Sequence, residues 1–294
     1  MDDIFHEPEL LIDGAATLAE GPCWHAERNR LLWVDIEENR LHLYDPAANR
    51  NDTVQFDRHV SAAVPTADGN ILLAMRNGMF LYDESSGMLR LVADPEARIP
   101  TNRFNDGKCD PAGRFWAGTM SMTGEAEAGS LYRLDRKGKV AKMVSGLTIS
   151  NGLGWSPDYA TMYLVDSKIR QVFAFDFDVE SGNIANRRPI IRFAPEDGLP
   201  DGMAVDENGM LWIAHWDGGK VSCFDPKRGR IVDVIRFPAR KVTSCAFGGE
   251  RLDELYVTTA KSGPGEPEDR YGGSLFRVKL GVKGMPTFEY RQEN

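Results

Sequence analysis

One hairpin pattern recurs six times along this chain, and few folds can accommodate it. The clearest copy runs from Asp201 to Ala214. Met203 to Val205 is a short apolar run. Asp206-Glu207-Asn208-Gly209 is turn chemistry, because Asn-Gly supplies a positive φ at little steric cost. Met210 to Ala214 is a second apolar run that contains Trp212. Copies begin at Glu20, Ser61, Asn105, Asn151 and Ser244. The central apolar residue of each second run falls at Trp33, Leu73, Trp116, Tyr163, Trp212 and Tyr256, in steps of 40, 43, 47, 49 and 44 residues. Short strands repeating at about 40–50 residues are the signature of a β-propeller. The expected fold is all-β: six blades, each a four-stranded antiparallel sheet.

Third and fourth strands follow each hairpin. Leu41 to Tyr44, Met79 to Tyr82 and Leu275 to Val278 are examples of the third; Thr53 to Phe56 and Ile231 to Ile235 are examples of the fourth. The sixth blade lacks a local fourth strand. Either the segment around Leu10 or Thr287 to Tyr290 could supply it, and joining the ends would remove the exposed sheet edges. The repeat spans nearly all 294 residues, so residues 1–294 are expected to form one domain, with the terminal strands closing the last blade.

A net charge of -9 argues against a nucleic-acid surface, which needs basic patches. No apolar run approaches the roughly 18–20 residues of a membrane helix. Met1-Asp2-Asp3 is acidic and opens no apolar h-region, so no signal sequence is expected. The four cysteines Cys23, Cys109, Cys223 and Cys245 form no Cys-x-x-Cys pair, which suits a cytoplasmic protein with reduced thiols. No obligate protein partner is evident.

In a propeller the first strand of each blade lines a central channel. The residues that open these strands should therefore converge: Glu20, Ser61, Asn105, Asn151, Asp201 and Ser244. All are polar, and four are carboxylates or carboxamides. Such oxygen donors suit a hard or borderline divalent ion. The alternative is that Glu-Gly, Asn-Gly and Asp-Gly are simply turn dipeptides. Two acids facing one channel would repel each other, and a bound cation or an arginine such as Arg103 would relieve them.

Leu18-Ala19-Glu20-Gly21-Pro22, Arg103-Phe104-Asn105-Asp106-Gly107-Lys108, Gly118-Thr119-Met120, Ser150-Asn151-Gly152-Leu153 and Leu199-Pro200-Asp201-Gly202-Met203 together resemble the regucalcin (senescence marker protein)/gluconolactonase family of sugar lactone hydrolases. The resemblance implies a six-bladed propeller with one divalent cation in the channel, Ca2+ first, with Zn2+, Mn2+ or Mg2+ as alternatives. It implies Glu20, Asn151 and Asp201 as metal ligands, Asp201 also as proton acceptor, and Arg103 and Asn105 as substrate contacts. Some relatives carry a substrate-contacting glutamate where this chain has Thr123, in a loop from Ser121 to Ala128 of different make-up. The identity of the lactone therefore does not carry over.

Lactone hydrolysis needs a polarised carbonyl, a water and a proton acceptor. A divalent ion and a neighbouring carboxylate can meet those needs, and Arg103 and Asn105 can hold hydroxyls or an oxyanion. No Gly-x-Ser-x-Gly is present, and the five histidines are scattered. His215 suits strand-end packing better than the channel mouth. Trp216 is a candidate pocket wall. Lys261 to Tyr271 is a surface loop or a rim of the site. The rival readings are a calcium-binding regulatory propeller and a protein-binding propeller, both without turnover.

Overall fold

Each pair of apolar runs becomes the inner two strands of a four-stranded antiparallel sheet. The computed structural model describes residues 6–293, and its strands form six such sheets. The inner strands are Ala19–His25, Val60–Pro65, Asn102–Cys109, Ser150–Trp155, Leu199–Val205 and Lys241–Gly248. Each packs against the inner strand of the next blade, and the sixth packs against the first, so the sheets close a ring. The fold is the six-bladed β-propeller expected from the repeat. No α-helix occurs among the described residues, and no helix is long and apolar enough to cross a membrane.

Aspartates in the hairpin turns tie local chain to blade packing. Asp110 Oδ1 accepts from the backbone N–H of Ala112 and Arg114, while its Oδ2 accepts from the Trp116 indole at 2.9 Å. Asp206 repeats this six residues before Trp212, accepting from Asn208, Met210 and the indole. Each carboxylate closes an Asx-type turn and satisfies the one polar atom of a buried ring. The rings then pack between blades: Trp24 on Tyr256, Trp116 on Trp155, and Trp212 on Phe247, with centroids 5.7 to 6.2 Å apart.

The sixth sheet takes its outer strand from near the start of the chain. Glu9–Ile12 pairs antiparallel with Leu275–Lys279. Thr287 to Tyr290, the other candidate for that place, forms no blade strand. The longer tail from Met285 to Arg291 is tied to several blades instead. Met285 N–H donates to Val205 O, Tyr290 N–H to Pro65 O, and Arg291 N–H to Gly113 O. This segment straps one end of the channel and leaves only a cavity of about 60 Å³ there. The opposite end stays open.

Candidate active site

The open end holds a cavity of about 290 Å³. Its floor is polar: Glu20, Arg103, Asn105, Asn151, Asp201 and Ser167. Its collar is apolar: Leu18, Met120, Ile149, Leu199 and Trp216. Four of the six residues that open the inner strands thus meet. The two serines do not join them. Ser61 Oγ donates to Phe104 O at 2.6 Å, a link between blades, and Ser244 packs against Gly202.

The backbone explains how these side chains come to face the channel. In all six inner strands the register with the second strand shifts once, between Glu20/Cys23, Val60/Ala62, Phe104/Gly107, Asn151/Leu153, Pro200/Met203 and Val242/Ser244. A bulge adds a residue to one strand and re-aims the neighbouring side chains. The dipeptides Glu20-Gly21, Asn151-Gly152 and Asp201-Gly202 therefore sit inside strands rather than in turns. Gly21 supplies a φ of 53°, in the left-handed region, and the other two serve close approach. A Cβ on Gly152 would lie 2.7 Å from Asp201 O, and one on Gly202 would lie 2.0 Å from Ser244 Oγ.

Two aspartates outside the cavity hold ligand-bearing strands in place. Asp35 accepts from Thr17 N–H and Leu18 N–H at 2.9 and 3.0 Å, just before Glu20. Asp166 does the same for Thr148 and Ile149 at 3.0 and 3.1 Å, just before Asn151.

Within the floor, Asn151 Nδ2 donates to Asp201 Oδ1 and to Ser167 Oγ. Asn151 Oδ1 is buried with no hydrogen-bond partner. Arg103 is also buried and donates to Asn105 Oδ1 at 2.7 Å, while Asn105 Nδ2 donates to Ser150 O at 2.9 Å. Asp106 lies within the motif from Arg103 to Lys108, but nothing in the sequence gives it a role. It is buried beside the floor, with its Oδ1 accepting from Gly107 N–H. Lys108 follows, donating to Met203 O and lining the closed-end cavity.

Three buried carboxyls therefore share one channel. Burial, then Asp106, pushes the Glu20 carboxyl up to about 8, with Gly21 N–H and Arg103 opposing. Burial, then Glu20 and Asp106, raises Asp201, against the Asn151 hydrogen bond. Burial likewise raises Asp106, against Lys108. Burial lowers Arg103, and Glu37, Glu20 and Asp201 oppose that shift. Among the described residues no cluster of three or more His, Cys, Asp or Glu could hold a metal. The set here is instead two carboxylates and a carboxamide. An orphaned carboxamide oxygen beside two carboxyls that resist ionising is a donor set that fits a hard cation.

His215 faces the strand end. Its Nδ1 is 2.8 Å from Asp197 O, its Nε2 is 2.7 Å from Ser222 Oγ, and its ring packs on Phe193. Burial lowers it to about 4, so it stays neutral. Thr123 is not among the cavity-lining residues; its Oγ1 sits 2.9 Å from Ser121 Oγ. All four cysteines are free and buried, and burial raises the Cys23 thiol to about 12, far from a nucleophile's range.

A family model described as the SMP-30/Gluconolactonase/LRE-like region matches residues 18–261. A Bacillus subtilis (strain 168) protein assigned by name as a sugar lactone lactonase, YvrE, is 39% identical over 278 residues, covering 94% of this chain and 95% of its own. Regucalcin of Gallus gallus is 36% identical over 282 residues, covering 93% and 94%. The solved structure of a calcium-binding protein, regucalcin, from Agrobacterium tumefaciens superposes with a TM-score of 0.93 at 31% identity, covering 97% of this chain and 98% of that one.

Proposed function

The chain belongs to the SMP-30/gluconolactonase/LRE-like family, and on that premise we propose that it hydrolyses a sugar (aldono-)lactone to the free sugar acid with the help of one divalent cation. The observation that carries this reading is the convergence of Glu20, Arg103, Asn105, Asn151 and Asp201 on the floor of one open cavity. Glu20, Asn151 and Asp201 would hold the cation through oxygen. Calcium suits such hard donors, and zinc, manganese or magnesium are alternatives. When bound, the cation supplies Lewis-acid polarisation of the carbonyl and charge compensation for the buried carboxyls.

The chain's own groups account for the remaining needs. Arg103, fixed by Asn105 at 2.7 Å, presents its guanidinium to the cavity. There it can hold a sugar hydroxyl or the oxyanion that develops when water adds to the carbonyl carbon. Asn105, in turn anchored to Ser150 O, keeps that guanidinium from swinging. Asp201 accepts the proton of the attacking water. The acyl C–O bond of the ring then breaks, and the ring oxygen leaves with that proton as a hydroxyl. Asn151 Nδ2 restrains the Asp201 carboxyl in the orientation this needs. The four free cysteines suit a reducing compartment, so cytoplasmic placement is part of the proposal.

The test is a pH-stat assay on a panel of fresh aldonolactones, with and without chelator. Acid release above the spontaneous rate, abolished by chelator and restored by metal, is the expected outcome. Metal binding with no turnover across the panel would favour a calcium-binding propeller instead.

A further inference from the structure

Trp216 occupies a position that the fold fills differently in other blades. It ends the strand Leu211–Trp216 and pairs with Leu199, which also lines the cavity. The corresponding residues are Ile36, whose N–H donates to Leu18 O, and Ser167, whose N–H donates to Ile149 O, each one step beyond the aspartate that ends its strand. Blade geometry therefore does not demand an aromatic ring here. The indole forms part of the cavity wall and is only partly buried.

The ring is braced from one side. Lys241 Nζ lies 4.7 Å from its centroid. That lysine is 6% exposed and is paired with Glu266 Oε2 at 2.5 Å. Glu266 Oε2 also takes hydrogen bonds from Arg240 NH2 at 2.7 Å and Gly263 N–H at 2.9 Å. The Gly- and Pro-rich loop after Ala260 thus reaches the site through one carboxylate and one ammonium. A desolvated ammonium over an indole fixes the plane of the ring.

We propose that Trp216 is a specificity-determining platform: Lys241 covers one face of the indole, and the other receives a C–H face of a sugar-lactone ring. This deepens the lactonase reading and rests on it for the identity of the ligand. A lactone ring has polar edges and apolar faces. The floor provides partners for the edges, and a rigid aromatic plane provides one for a face at little entropic cost. An open-chain ester offers no such face, so the platform favours cyclic substrates.

The experiment compares wild type with Trp216→Ala, Trp216→Phe and Glu266→Gln. Turnover is measured with D-glucono-1,5-lactone and with a linear ester. Binding is measured by tryptophan emission and calorimetry with 1,5-anhydro-D-glucitol, a ring without the carbonyl. Trp216→Ala is expected to raise the lactone KM and the anhydrosugar Kd about tenfold, with kcat changed less than about twofold, as for loss of uniform binding. The linear ester should be unaffected. Trp216→Phe should restore most of the affinity while abolishing the emission change. Glu266→Gln should weaken binding by a smaller factor through the loosened lysine. If lactone turns over and Trp216→Ala leaves KM and Kd unchanged, the platform is wrong and the hydrolase reading stands. If the anhydrosugar quenches emission through Trp216 but no lactone turns over, the platform stands and the hydrolase reading falls. Neither quenching nor turnover in the wild type overturns both.

Discussion

Replacing Glu20 by Gln should stabilise the metal-free protein at alkaline pH and abolish most of the stabilisation that calcium gives the wild type. In the metal-free protein the Glu20 carboxyl titrates at about 8, against an ordinary 4.5. The folded value is the higher one, so the folded state keeps a proton that the unfolded chain releases. Stability from this group is therefore full below about 4.5, falls as pH rises towards 8, and is flat above. The gap corresponds to at most roughly 5 kcal/mol. With 294 residues at about 2 cal/mol/K each, the unfolding entropy is about 0.6 kcal/mol/K, so the penalty amounts to roughly 8 °C in Tm. A cation at about 100 times its Kd returns about 2.7 kcal/mol, or roughly 4 °C. Glutamine cannot ionise, so in chelator the variant should lose that part of the pH slope and melt several degrees above wild type at pH 8. In calcium the wild type should rise and the variant should barely respond. The assay is thermal unfolding from pH 5 to 9, in chelator and in excess calcium. A variant that keeps the wild-type pH slope in chelator, or the full calcium shift, would refute the argument that Glu20 is a buried, cation-seeking carboxylate.

Three further outcomes are expected. Asp201→Asn should keep kcat about 10²–10⁴-fold below wild type even at saturating metal, the range for a lost general base; recovery of the rate across a metal titration, with spontaneous hydrolysis subtracted, would assign the proton elsewhere. Gly202→Ala places a Cβ within 2.0 Å of Ser244 Oγ and 2.7 Å of Ser244 Cα, so overpacking of about 1–3 kcal/mol should lower Tm; an unchanged Tm would mean the inner strands can part freely. Removing residues 1–15 takes away the strand Glu9–Ile12 and exposes the edge of Leu275–Lys279; melting should become lower and less cooperative, and an unchanged transition in calorimetry would show that this pairing does not hold the ring.

The repeat was legible because hairpins obey local rules. Alternating apolar runs and Asn-Gly or Asp-Pro turns need no long-range information. What the sequence concealed was register. A bulge is one extra residue, and nothing in Asn105-Asp106-Gly107 announces that Asp106 joins Glu20 and Asp201 as a third buried acid. Glu20-Gly21 and Asp201-Gly202 read as turn dipeptides because glycine serves tight turns and close packing alike. Only the neighbouring blade, with Ser244 against Gly202, distinguishes the two uses. The tail misled in another way. Thr287 to Tyr290 has strand-like alternation, yet the tail from Met285 to Arg291 bonds to three separate blades. One signal was present and unused. Asp35 and Asp166 stand at the same distance after Glu20 and Asn151, each closing an apolar second strand, and that coincidence marks the pair that positions the ligand-bearing strands.

The floor draws on four blades: Glu20 from the first, Arg103 and Asn105 from the third, Asn151 and Ser167 from the fourth and Asp201 from the fifth. Its geometry is therefore a property of the ring and of no single sheet. Small tilts between blades would change the distances between Glu20 and Asp201 directly. The devices that fix those tilts are the ones the fold supplies at its joints: glycines that let inner strands touch, Trp116 and Trp212 wedged between sheets, a first strand sewn into the last blade, and a tail tied to blades two, three and five. The same closeness that sets the spacing also buries like charges. A cation that neutralises them would cross-link blades one, four and five, so stability of the ring and occupancy of the site should rise together.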